Sequence, residues 1–179
     1  MDQSVKFLAK NLLKICQEKE WQISCAESCT GGMICSTLTS IPGASRIFSR
    51  GFITYSNQAK VEMLGVLPAT IEKYGAVSEE TALEMVIGTQ KNAKSEIAIA
   101  VTGIAGPDGG SDQKPVGTVF IALAILNKTW VIQKNFTELE ISELDQYQPD
   151  YSSIRSIIRN LTVNSALEIL LQKLGQISI

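Results

Sequence analysis

The sequence predicts an α/β fold, a three-layer α/β/α sandwich around a mixed sheet, and three observations carry that expectation. Helical periodicity marks both ends of the chain, strongly apolar β-type runs lie between them, and two of those runs turn directly into helical segments. The 179 residues fit one ordinary domain, residues 1–179, without a linker, an internal repeat or a low-complexity tract.

Val5, Leu8, Leu12, Ile15 and Cys16 recur at helical spacing, so Ser4 to Glu20 reads as an amphipathic first helix, followed by a strand from Gln22 to Ala26. A second helix is expected from about Gly31 to just before Ile41-Pro42-Gly43, where proline cannot continue the helix. Gly51 to Tyr55 is aromatic and β-branched enough for a short strand, and Asn57 is the expected cap of a helix over Gln58 to Leu64. Ser78 followed by Glu79 and Glu80 has the form of an N-cap with an acidic first turn, opening a helix through about Lys94. Glu96 to Val101, Val116 to Leu126 and Thr129 to Phe136 read as strands, the last two joined antiparallel by a hairpin turn at Leu126-Asn127-Lys128. From Asp150 onward, Ile154, Ile157, Ile158, Leu161, Ala166, Leu167, Leu170 and Leu171 line one face of a closing helix.

Composition narrows the function. A formal net charge of −2 offers no electrostatic footprint for nucleic acid or an anionic membrane, and no apolar stretch reaches the length of a membrane span. The start of the chain lacks the basic and apolar regions of a signal peptide, so a cytoplasmic location is expected. Cys16, Cys25, Cys29 and Cys35 form no C-x-x-C pair, and with no histidine to complete a site, no metal is expected.

The absence of histidine also constrains chemistry. Ala26-Glu27-Ser28-Cys29-Thr30-Gly31-Gly32 lies between a β-type run and a helical one, where backbone N–H groups of a strand-to-helix turn can hold an anion or a developing oxyanion. Ser28 is therefore a candidate nucleophile, with Cys29 a rival only if its thiol is acidified. Imidazole cannot take the proton, which leaves a lysine, a tyrosine or a carboxylate. Lys60, one turn into the helix after Tyr55-Ser56-Asn57, would serve as a base if desolvated against the sheet. The run Thr102 to Ser111, rich in glycine, follows a buried strand at the end where open α/β sheets bind ligands. It lacks the Gly-Lys-Ser/Thr of a P-loop and the spacing of a dinucleotide fingerprint. Ser56 and Lys60 are too far apart for the Ser-x-x-Lys of penicillin-binding enzymes.

Ala26 to Gly32, Gly51 to Lys60, Gly75-Ala76-Val77-Ser78, and Thr102 to Gly110 with Lys114 to Val119 together resemble the CinA C-terminal domain family, in order from about Val5 to Lys173. The resemblance implies a nicotinamide-nucleotide amidohydrolase, which converts nicotinamide mononucleotide and water to nicotinate mononucleotide and ammonia in pyridine-nucleotide salvage. It implies a mostly parallel sheet with one antiparallel strand, no cofactor, and a homo-oligomer, with a dimer favoured. Carried onto this sequence, it makes Ser28 the nucleophile and Lys60 its base, with Tyr55 in the same constellation. Thr30, Gly31 and Gly32 would supply the oxyanion hole, while Gly103, Ala105, Gly106, Gly109 and Gly110 would hold the nucleotide. Many members carry a Gly-Asp-Arg-like turn before the last helix; here it reads Gln148-Pro149-Asp150-Tyr151, after the acidic segment Glu138 to Asp145, and Arg155 alone matches the family's inner arginine. The separate N-terminal hydrolase domain of longer members has no room in 179 residues, so its activity is expected to be absent. A nucleotide-sensing module without hydrolysis is the rival reading; a DNA-repair accessory finds no basic patch.

Overall fold

The computed structural model describes residues 3–136 and 154–177, so the acidic segment and the altered turn at 148–151 lie outside the described residues. In chain order the elements are α1 (Gln3–Lys19), β1 (Ile23–Glu27), α2 (Met33–Thr39), a 3₁₀ turn (Ala44–Arg46), β2 (Phe48–Ile53), α3 (Asn57–Leu64), α4 (Pro68–Tyr74), α5 (Glu79–Ala93), β3 (Ile97–Gly103), β4 (Thr118–Ile125), β5 (Lys128–Asn135) and α6 (Ile154–Gly175). The sheet order is β2-β1-β3-β4-β5. β1 pairs in parallel with β2 and β3, whereas β4 is antiparallel to both β3 and β5, so β4 alone runs against the other four strands.

The alternation of side chains explains the layers. Ile97, Ile99 and Val101 of β3, with Val119, Ile121, Leu123 and Ile125 of β4, face α1, α2 and α6 in one core. The opposite face presents Ala98, Ala100, Ala122 and Ala124 in a second core with Met85 and Val86 of α5. Small residues there let α5 lie close to the sheet, with α3 and α4 packed outside it. Each large aliphatic side chain so buried contributes about 1.5–3 kcal/mol relative to exposure. Gly88 of α5 is required by the same crowding, because a Cβ there would sit 1.9 Å from the Leu64 carbonyl oxygen.

Several elements depart from the expectation, and β2 runs over Phe48–Ile53 rather than Gly51 to Tyr55. α2 opens at Met33 because Gly31 (φ +58°) and Gly32 (φ +98°) adopt left-handed backbone that a helix cannot contain. α3 is capped by Ser56, whose Oγ accepts the Ala59 amide at 3.0 Å, and Asn57 is already its first residue. α4 was not expected; Pro68 starts it, where a missing N–H costs nothing, and the Glu84 carboxylate accepts the Leu67 amide at 2.7 Å ahead of it. The Ser78 cap of α5 is as expected, its Oγ accepting the Thr81 amide at 3.2 Å.

Candidate active site

The carboxyl ends of β1 and β3 meet the start of α3 around a cavity of about 230 Å³. The chain leaves β1 at Glu27, and the Ser28 amide then donates to the Val101 carbonyl at 3.1 Å, extending the β1–β3 ladder by one residue. On the other side the Thr54 amide donates to the Glu27 carbonyl at 2.9 Å, just before β2 gives way to α3. These two bonds fix the Ser28 turn between β3 and the end of β2, which leads to Lys60.

Lys60 lies in the first turn of α3 and its side chain points inward, leaving the residue 1% exposed. Its Nζ donates to the Thr54 carbonyl at 2.8 Å and to Ser28 Oγ at 3.1 Å. Burial lowers its pKa from 10.5, with the nearby Cys29 thiol partly opposing that fall. A neutral amine donating one hydrogen to Thr54 keeps a lone pair for the Ser28 hydroxyl. Ser28 itself is 9% exposed and lines the cavity.

Cys29 also lines the cavity, but burial pushes its thiol up to about 12, and the amides of Cys29 and Thr30 together with Lys60 offset that only in part. A thiol so far from ionisation is a poor nucleophile.

Tyr55 and Arg155 form the rim. Tyr55 is 60% exposed and its hydroxyl accepts from Arg155 Nη2 at 2.6 Å, while Arg155 Nη1 donates to the Gly106 carbonyl at 3.0 Å. No hydrogen bond joins Tyr55 to Ser28 or Lys60. Gly103 and Ala105 line the cavity wall; Gly106 reaches the rim through its carbonyl. Gly109 and Gly110 lie farther along the loop and are not among the lining residues. At Gly110 a Cβ would meet the Val116 amide nitrogen at 2.9 Å, so it shapes the loop. Ala76 and Val77 complete the wall, held by Thr102 Oγ1 donating to the Ala76 carbonyl at 2.7 Å and by Lys114 Nζ donating to the Tyr74 and Val77 carbonyls at 2.8 and 2.7 Å.

Thr30, Gly31 and Gly32 are not brought to the cavity. The Gly31 amide donates to the Ser28 carbonyl at 3.2 Å and the Gly32 amide to Glu27 Oε2 at 3.0 Å, so neither is free to face a substrate. Two residues that sequence reasoning did not single out hold this turn. The buried Glu27 carboxylate also accepts the amides of Ile34 (3.1 Å, Oε2) and Cys35 (2.8 Å, Oε1). Arg159 Nη2 donates to the Thr30 carbonyl at 2.8 Å from α6. The acid immediately before the serine, six residues ahead of a helix, was a usable signal for Glu27; nothing local marks Arg159.

Among the described residues no cluster of three or more acidic or cysteine side chains is arranged to hold a metal, and no helix is long and apolar enough to cross a membrane.

A three-layer α/β fold with a hydroxyl and a desolvated amine paired at the carboxyl ends of its parallel strands defines a class of small-ligand sites that work without imidazole. The CinA C-terminal domain model matches residues 5–174, and the chain belongs to that family. A nicotinamide-nucleotide amidohydrolase PncC of Enterobacter agglomerans is 56% identical over 106 residues, covering 59% of this chain and 65% of that protein. A longer relative of the competence-damage inducible type from Acetivibrio thermocellus is 47% identical over 167 residues, which is 93% of this chain and 36% of the relative. The chain thus spans little more than a third of that relative's length. Among solved structures, the competence/damage inducible protein CihA from Agrobacterium tumefaciens superposes with a TM-score of 0.86 at 38% identity, covering 96% of both chains. A CinA superfamily protein from Escherichia coli does so with a TM-score of 0.83 at 31% identity, covering 96% of this chain and 92% of that one.

Proposed function

We propose that this chain is a metal-independent serine amidohydrolase that deamidates nicotinamide mononucleotide, with Ser28 as nucleophile and Lys60 as general base. The observation that carries the reading is the 3.1 Å contact between Ser28 Oγ and an amine almost wholly removed from solvent, in a chain without histidine. The name of the PncC relative supports the substrate. In the first step Lys60 takes the Ser28 proton as Oγ bonds to the carboxamide carbon, and the carbonyl oxygen becomes an oxyanion. Because the Gly31 and Gly32 amides are engaged within the turn, they are not the donors assigned to the oxyanion. Collapse breaks the C–N bond, Lys60 returns the proton to the leaving nitrogen, and ammonia departs. Water, deprotonated by Lys60, then attacks the acyl carbon, the C–Oγ bond breaks as Lys60 returns the proton to Ser28 Oγ, and the nicotinate product leaves.

A cavity of about 230 Å³ falls just below the roughly 300–1,000 Å³ of ordinary ligand pockets, a size that suits the pyridine ring and its carboxamide. The ribose 5′-phosphate then extends to the rim, where Arg155 supplies the cation. The test is ammonia release from purified protein and nicotinamide mononucleotide, with the Ser28→Ala variant beside it. Release by the wild type alone supports the reading. Binding of the nucleotide without release makes the chain a nucleotide-binding module instead, and release by both overturns Ser28.

A further inference from the structure

We infer that Glu27 is a positioning residue for the nucleophile: its buried carboxylate clamps the start of α2 to the end of β1 and so sets where Ser28 Oγ stands relative to Lys60. The inference deepens the serine–lysine reading and rests on it.

The turn from Ser28 to Gly32 contains two left-handed glycines, Gly31 and Gly32, so its backbone has little conformational preference of its own. Its two ends are joined instead by one side chain. Glu27 is 0% exposed, and its oxygens take the amides of Gly32, Ile34 and Cys35 at 3.0, 3.1 and 2.8 Å. Glu27 makes no ion pair among the described residues, so those three N–H groups are what compensates the buried acid. A carboxylate accepts at both oxygens and donates at neither, which is what three converging amides require. The main chain of the same residue is held as well, its carbonyl accepting the Thr54 amide at 2.9 Å, and the Thr54 carbonyl in turn receives Lys60 Nζ. Side chain and backbone of Glu27 therefore tie the serine turn and the lysine to one point. Glu27 is neither a hydrogen-bond partner of Lys60 nor a lining residue of the cavity. The lysine's lowered pKa comes from burial, so loss of Glu27 should change geometry without changing the ionisation that gates the base.

Glu27→Gln tests this, since the carboxamide must turn an N–H₂ donor toward at least one backbone N–H. The rate of Ser28 labelling by a fluorophosphonate, in which Oγ displaces fluoride from phosphorus and Lys60 takes the proton, is read per folded molecule alongside kcat and KM for nicotinamide mononucleotide. A displacement of the order of 1 Å costs about a hundredfold in a positioned reaction, so labelling and kcat should both fall by about that factor. KM and the pH midpoint of the acid limb should stay within twofold and within experimental scatter, respectively. Labelling within twofold of wild type, or a loss accompanied by a shifted acid limb, overturns the positioning role. Should Glu27→Gln fail to fold, Glu27→Asp keeps the charge but shortens the reach by one methylene. Its labelling, read per folded molecule, must then fall, and wild-type labelling overturns the inference. A wild type that labels at Ser28 but releases no ammonia refutes the substrate and leaves the positioning test intact; one that does not label at all overturns both.

Discussion

The floor and the rim of the cavity are built on opposite principles. At the floor Ser28 and Lys60 are buried, tied to Val101 and Thr54 main chain, and carried on the edge between strand and helix. At the rim Tyr55 is mostly exposed, and Arg155 reaches it across the sequence from α6 to form a bond that solvent can compete for. Chemistry that depends on a neutral amine needs the first setting; a phosphate that must enter and leave suits the second. Substitutions at the floor should therefore change kcat, and substitutions at the rim should change KM.

The largest expected effect is Ser28→Ala, which should abolish turnover while affinity for nicotinate mononucleotide, measured by calorimetric titration, stays within a few fold. Cys29→Ala should retain most activity because its thiol does not ionise near neutral pH. A dead Cys29 variant beside an active Ser28 one would reverse the assignment.

Next comes Lys60→Met, expected to lose about a hundred- to ten-thousand-fold in kcat. The same change should stabilise the fold. A base whose folded pKa lies below its unfolded value penalises folding in full below the lowered value, and the penalty fades as pH rises toward 10.5. Thermal melts should show Lys60→Met above wild type at pH 7, by about 2–4 °C for each kcal/mol relieved, with the margin closing in alkali. A variant less stable than wild type at neutral pH would mean that the two hydrogen bonds of Lys60 outweigh its desolvation.

The floor was legible in the sequence and the rim only partly so. Ser28 and Lys60 each close a strand-to-helix junction, and local grammar places such residues at the carboxyl edge of a sheet. The apolar run from Glu96 to Val101 likewise read as a strand, and the structure shows that its alternating isoleucine and alanine give it two unlike faces. What the sequence did not show was the engagement of two amide donors: glycine spacing shows where backbone is free to turn, but not that the Ser28 carbonyl takes the Gly31 amide and a carboxylate five residues back the Gly32 amide. Arg159 was out of reach for a different reason, its partner Thr30 being 129 residues away.

Arg159 sharpens the contrast between floor and rim, because it lies one turn beyond Arg155 on α6 yet serves the opposite region. Arg155→Ala should raise KM for nicotinamide mononucleotide about tenfold, the loss of one charge-assisted contact, and should narrow the preference for the nucleotide over its riboside. Arg159→Ala should leave KM nearly unchanged and lower kcat several fold by freeing the Thr30 carbonyl. Steady-state kinetics on both substrates separates the two; the same KM effect from both would remove the distinction. Tyr55→Phe should be the mildest, since it removes the acceptor of one Arg155 bond and leaves the Gly106 bond in place.

The central claim, that a desolvated Lys60 activates Ser28, is tested most directly by the pH dependence of kcat/KM for ammonia release from nicotinamide mononucleotide. Burial lowers the Lys60 pKa, and only the neutral amine accepts the serine proton, so activity should climb with pH through a single ionisation below 10.5. Residual activity of Lys60→Met should lack that limb. A wild-type profile flat from acid to alkali, or a limb that survives in Lys60→Met, would contradict the account.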